Sequence, residues 1–287
     1  MPNPKKETEM DKEKTVLLMD GFYKTLPMPD YHQTEGLSKS SIADLAISPA
    51  HYKARRLEPT TFPGADLGTA VHMLVLEPEL AEERIVTPPK EVLGKNGARS
   101  TNAYKDWVAA LPEGAINLSE SEYNTAQYMR DAMIGHPRYI DLLTGGHAEV
   151  SAFWTDEKGL TRKCRPDYLN DAYAVDVKTT VSAHPAQFGR QAYNLHYGWS
   201  AAWTLDILWS LTGGSRREYV FFCVEKEPPY AVACYSTPQD IIDMARDEIA
   251  PIVAQYRVCR ETDIWPGFST EIETLTYPRY AYKRQED

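Results

Sequence analysis

AEVSAFWTDEKGLTRKCRPDYLNDAYAVDVKTT, residues 148–180, is the stretch that decides the fold of this chain. It holds three short runs of β-forming residues, at 150–154, 161–168 and 172–178. Turn-forming residues separate these runs at 156–159 and 170–171. The pattern predicts an antiparallel meander with short turns.

The third run carries opposite chemistry on its two sides. Asp176 and Lys178 are two residues apart, so they project from one face of a strand, while Val175 and Val177 point into an apolar layer on the other. Asp167 ends the preceding run, and the short turn between the runs would fold it back beside Asp176. Two carboxylates and one ammonium group are therefore predicted to converge.

Alternating charge is also common on exposed strand faces, so a D-x-K triplet alone decides little. The context favours a site, because Arg165-Pro166-Asp167 lies on one run, Asp176-Val177-Lys178 on the next, and Glu149 before both. Acids placed this closely are costly unless a divalent cation neutralises them, and oxygen ligands suit Mg²⁺ or Mn²⁺. The stretch predicts a metal site in which the protonated Lys178 is not a ligand.

Pro166-Asp167 and Asp176-Val177-Lys178 resemble the two halves of the PD-(D/E)xK nuclease motif. The resemblance implies an α/β fold with a restriction-endonuclease-like core, a mixed central sheet flanked by helices. It also implies that the acids bind one or two metal ions, which stabilise the charge of a phosphodiester under attack. Lys178 would then orient the attacking water or stabilise developing charge.

Length and composition set the frame around this site. The chain has 287 residues, of which 43% are hydrophobic and 25% charged, as in ordinary globular proteins. We predict a disordered segment at 1–14, which is highly charged, and one nuclease domain at 15–287. The sequence has no apolar run of membrane-spanning length and no hydrophobic signal core at its start, so we expect no membrane association and a cytoplasmic location.

The net charge of −10 argues against a protein that coats DNA without regard to sequence. It is compatible with a nuclease, because several acids are assigned to metal and a local basic channel can be sufficient. Each basic candidate could equally be a solvated surface charge. The candidates for this channel are Arg55, Arg56, Arg162, Lys163 and Arg165.

Four cysteines, Cys164, Cys223, Cys234 and Cys259, form no CxxC pair. Some nucleases of this class hold an iron–sulfur cluster, with one cysteine well before the core and a close group after it. The spacing here does not follow that arrangement. We therefore predict no iron–sulfur cluster and free, mostly buried thiols.

A second, more specific resemblance begins at the apolar helix predicted in GADLGTAVHMLVLEP, residues 64–78. His72 lies on it, and in isolation such a histidine is more often a core residue than a ligand. However, four blocks resemble the RecE exonuclease family in the same order, over residues 20 to 282. They are YHQTEGLSKSSIADLAISPAHY (31–52), DLGTAVHMLVLEP (66–78), KCRPD (163–167) with DVKTT (176–180), and TLTYPRYA (274–281).

The RecE resemblance implies an exonuclease that degrades linear double-stranded DNA 5′ to 3′ and leaves 3′ overhangs for a RecT-like single-strand annealing protein. It implies a toroidal tetramer, a requirement for Mg²⁺ that Mn²⁺ can replace, and a setting in phage or prophage recombination. It assigns Asp167, Asp176 and Lys178 to the catalytic core and Glu149 to the upstream acid. It adds His72 and the backbone carbonyl of Val177 as metal ligands.

The sequence departs from this family on the second helix after the core. Relatives carry Gln-x-x-x-Tyr there, whereas Ser200 and Thr204 occupy those positions here. Tyr197 persists just upstream as a candidate DNA contact, and Gln191 could compensate from the preceding helix. Two alternatives therefore stay open: a related nuclease with different polarity or single-strand preference, and a catalytically weak DNA-end-binding protein.

Flanking elements are predicted from their patterns. Two small helices start near Ser38 or Ser40 and at Ser48-Pro49. Further helices are predicted at 102–111, 119–134, 185–195, 198–211 and 238–262, and strands at 15–19, 217–225 and 230–236. The second helix of this series opens with Ser119 and Glu122, which is a capping-box pattern. The tail from Trp265 is predicted to be irregular.

Overall fold

The computed structural model describes residues 18–57, 66–215 and 217–278. These residues divide into a first compact unit, within 18–39 and 66–248, and a second, within 40–57 and 249–278. The predicted disordered segment at 1–14 lies outside the described residues, as does most of the predicted strand at 15–19. Within the described ranges, no helix is both long and apolar enough to cross a bilayer.

The described part of the chain alternates helices and strands. The strands are β1 Gly21–Tyr23, β2 Ile85–Val86, β3 Ile116–Asn117, β4 His147–Ala148, β5 Ser151–Thr155, β6 Thr161–Cys164, β7 Tyr168–Leu169, β8 Tyr173–Thr180, β9 Glu218–Glu225 and β10 Val232–Ser236. The helices are α1 Met28–Gln33, α2 Lys39–Ile47, α3 Pro49–Leu57, α4 Asp66–Leu76, α5 Pro78–Arg84, α6 Asn102–Ala109, α7 Glu120–Ile134, α8 Tyr139–Leu143, α9 Pro185–Asn194, α10 Tyr197–Leu211 and α11 Gln239–Thr262.

A five-stranded sheet in the order β10-β9-β8-β7-β4 forms the centre of the first unit. Strands β8 and β9 are parallel, and the other pairs are antiparallel. A second, antiparallel sheet has the order β1-β5-β6, and β2 pairs with β3 in parallel. The mixed central sheet with flanking helices confirms the predicted fold class.

The predicted meander is present as a chain path, but it does not lie in one sheet. Segments 147–155 and 161–169 form one hairpin in a single register. The half near its tip, β5 and β6, belongs to the three-stranded sheet. The half near its base, β4 and β7, belongs to the five-stranded sheet. The switch falls at Glu149, which has a φ of 52°, and at Pro166, which lacks an N–H for a ladder. The runs therefore pair antiparallel as predicted, but the hairpin changes from one sheet to the other at this corner.

The apolar face of β8 lies in the main hydrophobic cluster of the first unit. Val175 and Val177 are fully buried and pair in register with Val220 and Phe222 of β9. Helices α4 and α7 contribute Ala70, Val71, Leu74, Met129 and Met133 to the same cluster. Burial of these side chains stabilises the strand that carries Asp176 and Lys178 on its other face.

Local signals in the sequence explain several helix boundaries. Ser119 accepts a hydrogen bond from the Glu122 backbone, and the Glu122 side chain accepts one from the Ser119 backbone, so the predicted capping box is confirmed. Pro78 follows the end of α4 and occupies the first turn of α5. A missing N–H has no cost there, because the first N–H groups of a helix have no partner within the helix. Asn170 closes the turn before β8 by accepting from the N–H groups of Ala172 and Tyr173.

The second unit contains most of α2, all of α3, the part of α11 from Ile249, and an irregular tail. Tyr52 of α3 stacks on Trp265 at 5.7 Å between ring centroids and meets Tyr256 edge-on at 5.4 Å. The Ala50 N–H donates to the Pro266 carbonyl at 3.0 Å. The tail is irregular as predicted, and its first residues are fixed by aromatic packing against α3.

Candidate active site

Asp176 is the buried acid at the centre of the site. Its Oδ1 atom contacts the ammonium of Lys178, and its Oδ2 atom accepts a hydrogen bond from the Tyr219 hydroxyl at 3.1 Å. Burial alone would raise the pKa of Asp176, but the charge of Lys178 and its hydrogen bond lower this pKa below the ordinary value. The Asp176 carboxylate, which lies opposite Asp167, therefore stays ionised at neutral pH.

Asp167 follows Pro166 at the corner of the hairpin and faces β8. Its Oδ2 atom accepts a hydrogen bond from the Val177 N–H at 2.6 Å and lies 3.5 Å from His72 Nδ1. Burial raises the pKa of Asp167 to about 6, His72 opposes this increase, and the charge of Asp176 adds to it. A hydrogen bond joins the two carboxyl groups and helps to lower the pKa of Asp176. The pair therefore behaves as one titrating unit.

Glu149 occupies the turn between β4 and β5, directly beside Asp167. Its N–H donates to the Asp167 carbonyl at 3.0 Å, and its Oε2 atom lies 3.8 Å from Arg165 Nε. Burial, followed by the charge of Asp167, raises the pKa of Glu149 to about 8, although Arg165 opposes the shift. The structure thus brings together the upstream acid and the acid of the predicted PD half of the motif.

The central residues come from three places in the sequence. Strand β8 supplies Asp176, Val177 and Lys178, the hairpin corner supplies Asp167, and α4 supplies His72. Glu149 is joined to this group through the Asp167 backbone. Every predicted catalytic residue therefore contacts another member of the predicted set.

Two of the predicted DNA contacts are buried instead. Lys163 is 2% exposed, and its ammonium donates to the carbonyls of Tyr31 and Thr34 at 2.7 Å each. The Arg165 side chain is 6% exposed, and its guanidinium bonds to the Leu26 carbonyl. Both side chains are used to fix the segment that contains α1, which removes them from the candidate DNA surface.

The other arginines of the predicted channel are also held by neighbours. Arg162 lies over the rings of Trp154 and Trp203, at 5.3 and 4.8 Å from their centroids, and pairs with Asp156 at 3.5 Å. Arg55 pairs with Asp44 in the second unit, and Arg56 belongs to the same helix. A DNA role for Arg55, Arg56 or Arg162 stays a prediction.

Tyr197 and Gln191 lie beside Lys178. The ring centroid of Tyr197 is 5.4 Å from Lys178 Nζ, and Gln191 Nε2 donates to the Tyr197 hydroxyl at 3.1 Å. Thr180 Oγ1 in turn donates to Gln191 Oε1 at 2.9 Å. Of the two positions that replace the family motif, Thr204 is buried and hydrogen-bonds the Cys164 thiol. A glutamine and a tyrosine therefore meet near Lys178 from separate helices.

Sequence reasoning missed two residues at this site. Tyr219, on β9, reaches Asp176 because β8 and β9 are parallel neighbours, a pairing that the sequence did not predict. Lys39, the first residue of α2, donates to the Leu195 carbonyl at 3.2 Å. Burial lowers the pKa of Lys39, and the nearby charge of Lys178 lowers it further. A lone lysine 137 positions before Asp176 in the sequence gives no signal of this proximity.

The acids at this site can supply oxygen ligands to a divalent cation. Among residues 18–57, 66–215 and 217–278, no three His, Cys, Asp or Glu side chains form a ready-made metal cage. Each acid is instead held by its own donor: Asp176 by Lys178, Asp167 by the Val177 N–H. Two carboxylates are nevertheless enough for Mg²⁺, which commonly takes one or two together with waters and substrate phosphates. The raised pKa values of Asp167 and Glu149 are the kind that a nearby cation relieves.

The residues therefore fit a hard divalent ion. Asp167, Asp176 and the Val177 carbonyl would hold it, with His72 and Glu149 at its border. The four cysteines are free thiols, and Cys164, Cys223 and Cys259 are buried. The absence of an iron–sulfur cluster stays a prediction.

Comparison with known proteins agrees with this geometry. The family model described as PDDEXK-like domain of unknown function (DUF3799) matches residues 38–278. The crystal structure of a protein from Eubacterium rectale, described as "Putative exonuclease", has a TM-score of 0.60 at 12% identity, covering 91% of this chain and 98% of that chain. A further solved structure, of SSO0001, has a TM-score of 0.24 at 14% identity, covering 37% of this chain and 50% of that chain. The sequence matches none of the curated proteins.

Proposed function

This chain belongs to the PDDEXK-like family DUF3799, and from that premise we propose that it is a divalent-metal-dependent nuclease that hydrolyses DNA phosphodiesters. The observation that carries this proposal is the convergence of Asp167, Asp176 and Lys178. Two acids that share one hydrogen bond beside a half-buried ammonium are a costly arrangement for a purely structural role.

Each side chain has a definite task in this chemistry. A divalent ion held by the acids supplies Lewis-acid charge that stabilises the phosphodiester transition state. Lys178 keeps its proton, because Asp176 and Asp167 raise its pKa against the effect of burial, so it orients the attacking water and stabilises negative charge. Tyr219 and the Val177 N–H fix the carboxylates, so that little reorganisation is needed during the reaction.

The finer parts of the proposal rest on the RecE resemblance. We propose digestion of linear duplex DNA from its ends, 5′ to 3′, with Mg²⁺ or Mn²⁺, to leave 3′ overhangs for a RecT-like annealing protein. A toroidal tetramer and a phage or prophage setting belong to the same proposal. The Eubacterium rectale protein, described as "Putative exonuclease", supports end-directed cleavage by analogy of fold.

The test uses linear duplex DNA labelled at either the 5′ or the 3′ end, in Mg²⁺, in Mn²⁺ and in EDTA. We expect metal-dependent release of mononucleotides from the 5′-labelled strand, no action on closed circles, and no release in EDTA. Early release from the 3′ label or preference for single strands would favour the related nuclease of different polarity. Intact DNA under every condition would contradict the nuclease proposal.

A second candidate is a DNA-end-binding protein with weak catalysis. The observation that favours it is the occupation of Asp176 by both Lys178 and Tyr219, together with Ser200 and Thr204 at the family's Gln-x-x-x-Tyr positions. Such a protein would bind linear DNA equally well with Mg²⁺ and with EDTA. A nuclease site predicts tighter binding when the acids are neutralised, which a titration with Ca²⁺ in place of Mg²⁺ can measure.

A further inference from the structure

A cavity of about 230 Å³ lies within the first unit, next to the candidate active site. It is bounded by α9, α10, β9, β10 and the first residues of α11. We call it the aromatic pocket, because seven of its seventeen lining residues carry flat rings. The rings stack in pairs: Phe188 on Tyr235 at 4.9 Å and 13°, Tyr197 on Phe221 at 5.2 Å and 24°, and His196 on Trp199 at 4.1 Å and 25°.

The aromatic pocket shares a wall with the catalytic residues. Tyr197 lines it and also places its ring 5.4 Å from Lys178 Nζ. Phe221 lines it too, and is the register partner of Asp176 in the parallel β8–β9 pair, so both side chains leave the same face of the sheet. A ligand in the pocket therefore lies on the catalytic side of the sheet, one side chain away from the acid and the lysine.

A few polar side chains also line the aromatic pocket. Thr237 Oγ1 is buried and has no hydrogen-bond partner among the residues that the structure describes. Glu248 accepts a hydrogen bond from Trp199 Nε1 at 2.5 Å and contributes to the lining. Flat apolar walls with a few fixed donors and acceptors are what a heterocyclic ring needs for stacking and edge recognition.

We propose that the aromatic pocket binds one nucleobase of the DNA strand, from a nucleotide next to the scissile phosphate. The proposal rests on the nuclease function proposed above, because that function places a phosphate at Asp167 and Asp176. The volume lies below the 300 Å³ or so that drug-sized ligands occupy, which favours a single base. Base stacking on aromatic side chains tolerates any sequence, so the pocket would fix the position of the strand without reading it.

Gly189 gives a direct way to close the aromatic pocket. It lies on α9 and lines the cavity, and a Cβ added there meets no atom within 4 Å, so a longer side chain has room. Leucine is also a better helix former than glycine, so Gly189→Leu should fold. Gln187→Leu is the matched control, because it adds the same side chain to an exposed, non-lining position of the same helix.

The probes are single-stranded oligonucleotides in which one abasic nucleotide is moved through each of the first six positions from the 5′ end. Binding is measured by fluorescence anisotropy in Ca²⁺, so that cleavage is not required. For wild type and Gln187→Leu, we expect one position at which the abasic nucleotide weakens binding about tenfold or more, as the loss of one stacked base does. For Gly189→Leu, we expect weaker binding of the unmodified strand and no further loss from the abasic nucleotide.

Equal affinity of wild type for all the oligonucleotides would overturn the base-binding assignment and favour an aromatic side chain of a protein partner as occupant. Persistence of the abasic effect in Gly189→Leu would overturn it as well. Cleavage of unmodified duplex in Mg²⁺ is scored separately. Cleavage without base dependence contradicts only the pocket proposal, while base-dependent binding without cleavage in Mg²⁺ or Mn²⁺ contradicts only the nuclease proposal.

Discussion

The two faces of β8 differ in what they contribute to the protein. On one face Val175 and Val177 are fully buried in the apolar cluster. On the other face Asp176 is also buried, at 7% exposure, but among charged and hydroxyl groups. The first face stabilises the fold through apolar burial. On the second face, the charge and hydrogen bond of Lys178 outweigh the desolvation cost of Asp176, because the pKa of this acid is lowered. Apolar packing and charged chemistry are therefore separated by a single residue step.

The strongest way to test this separation is Asp176→Asn. The change keeps the shape of the side chain and removes its charge, so we expect the rate of DNA cleavage to fall by about 10³-fold or more. Because Lys178 loses its ionic partner, the melting temperature should also fall, by several degrees. Steady-state cleavage rates, measured well below the melting temperature, and thermal unfolding measure the two effects separately. An unchanged cleavage rate per folded molecule would show that the Asp176 charge serves only the fold.

Glu149→Gln tests how much the burial of an acid beside Asp167 reduces the stability of the protein as pH rises. Burial raises the pKa of Glu149 from 4.5 to about 8 in the folded protein. The contribution of protonated Glu149 to the free energy of unfolding is therefore fully present below about pH 4.5 and is lost as pH rises towards 8. In EDTA, wild type should lose up to a few kcal/mol of stability over this window, and Glu149→Gln should lose less. Thermal unfolding from pH 5 to 8.5 checks this. Parallel pH curves for the two proteins would contradict it.

Val175→Ala is the counterpart on the apolar face. Removal of two buried methyl groups from a fully packed position should lower the free energy of unfolding by about 2 kcal/mol. The cleavage rate per folded molecule should change little, because the Val175 side chain lies on the opposite face of β8 from the Asp176 side chain. Urea unfolding gives the first quantity, and an assay well below the melting temperature gives the second. A tenfold loss of rate in fully folded protein would break the proposed division between the faces.

Tyr219→Phe tests the contribution of one hydrogen bond to Asp176, which is the smallest effect that we expect on the cleavage rate. The change removes one hydroxyl that donates to Asp176 Oδ2 and leaves the ring packed against Phe221 at 5.3 Å. Loss of such a supporting hydrogen bond typically reduces activity at a metal site by about tenfold. We expect this reduction in rate, together with an increase in the Mg²⁺ concentration needed for half-maximal activity. An unchanged Mg²⁺ dependence would assign the hydroxyl to packing alone.

The sequence was most informative where local geometry decides the outcome. The alternation of 175–178 and the Asn170 turn are local, so Asp176, Lys178 and Asp167 could be placed together from the sequence alone. His72 became a candidate only through resemblance, because its 3.5 Å approach to Asp167 depends on how α4 packs. Tyr219 and Lys39 were missed for the same reason, since strand order and helix packing bring them in from a distance.

The predicted DNA contacts could not be assessed from local sequence. Arg162, Lys163 and Arg165 are consecutive or nearly consecutive cations, and a charge run is normally solvated. Here α1 and α10 cover them, with Tyr31 over Lys163 and Arg165 and Trp203 over Arg162. Elements more than 35 residues away in the sequence determine this burial. Charge patterns read from one segment could not foresee it.

The bent hairpin also limits how the length of this chain can vary. Its tip at 156–159 lies beyond β5 and β6, so residues added there leave Glu149 and Asp167 in place. Within β8 a single added residue would exchange the two faces and direct the acid into the apolar layer, whereas two added residues would restore the alternation. Homologues of this chain should therefore lengthen freely at the hairpin tip, and only in steps of two inside the strand.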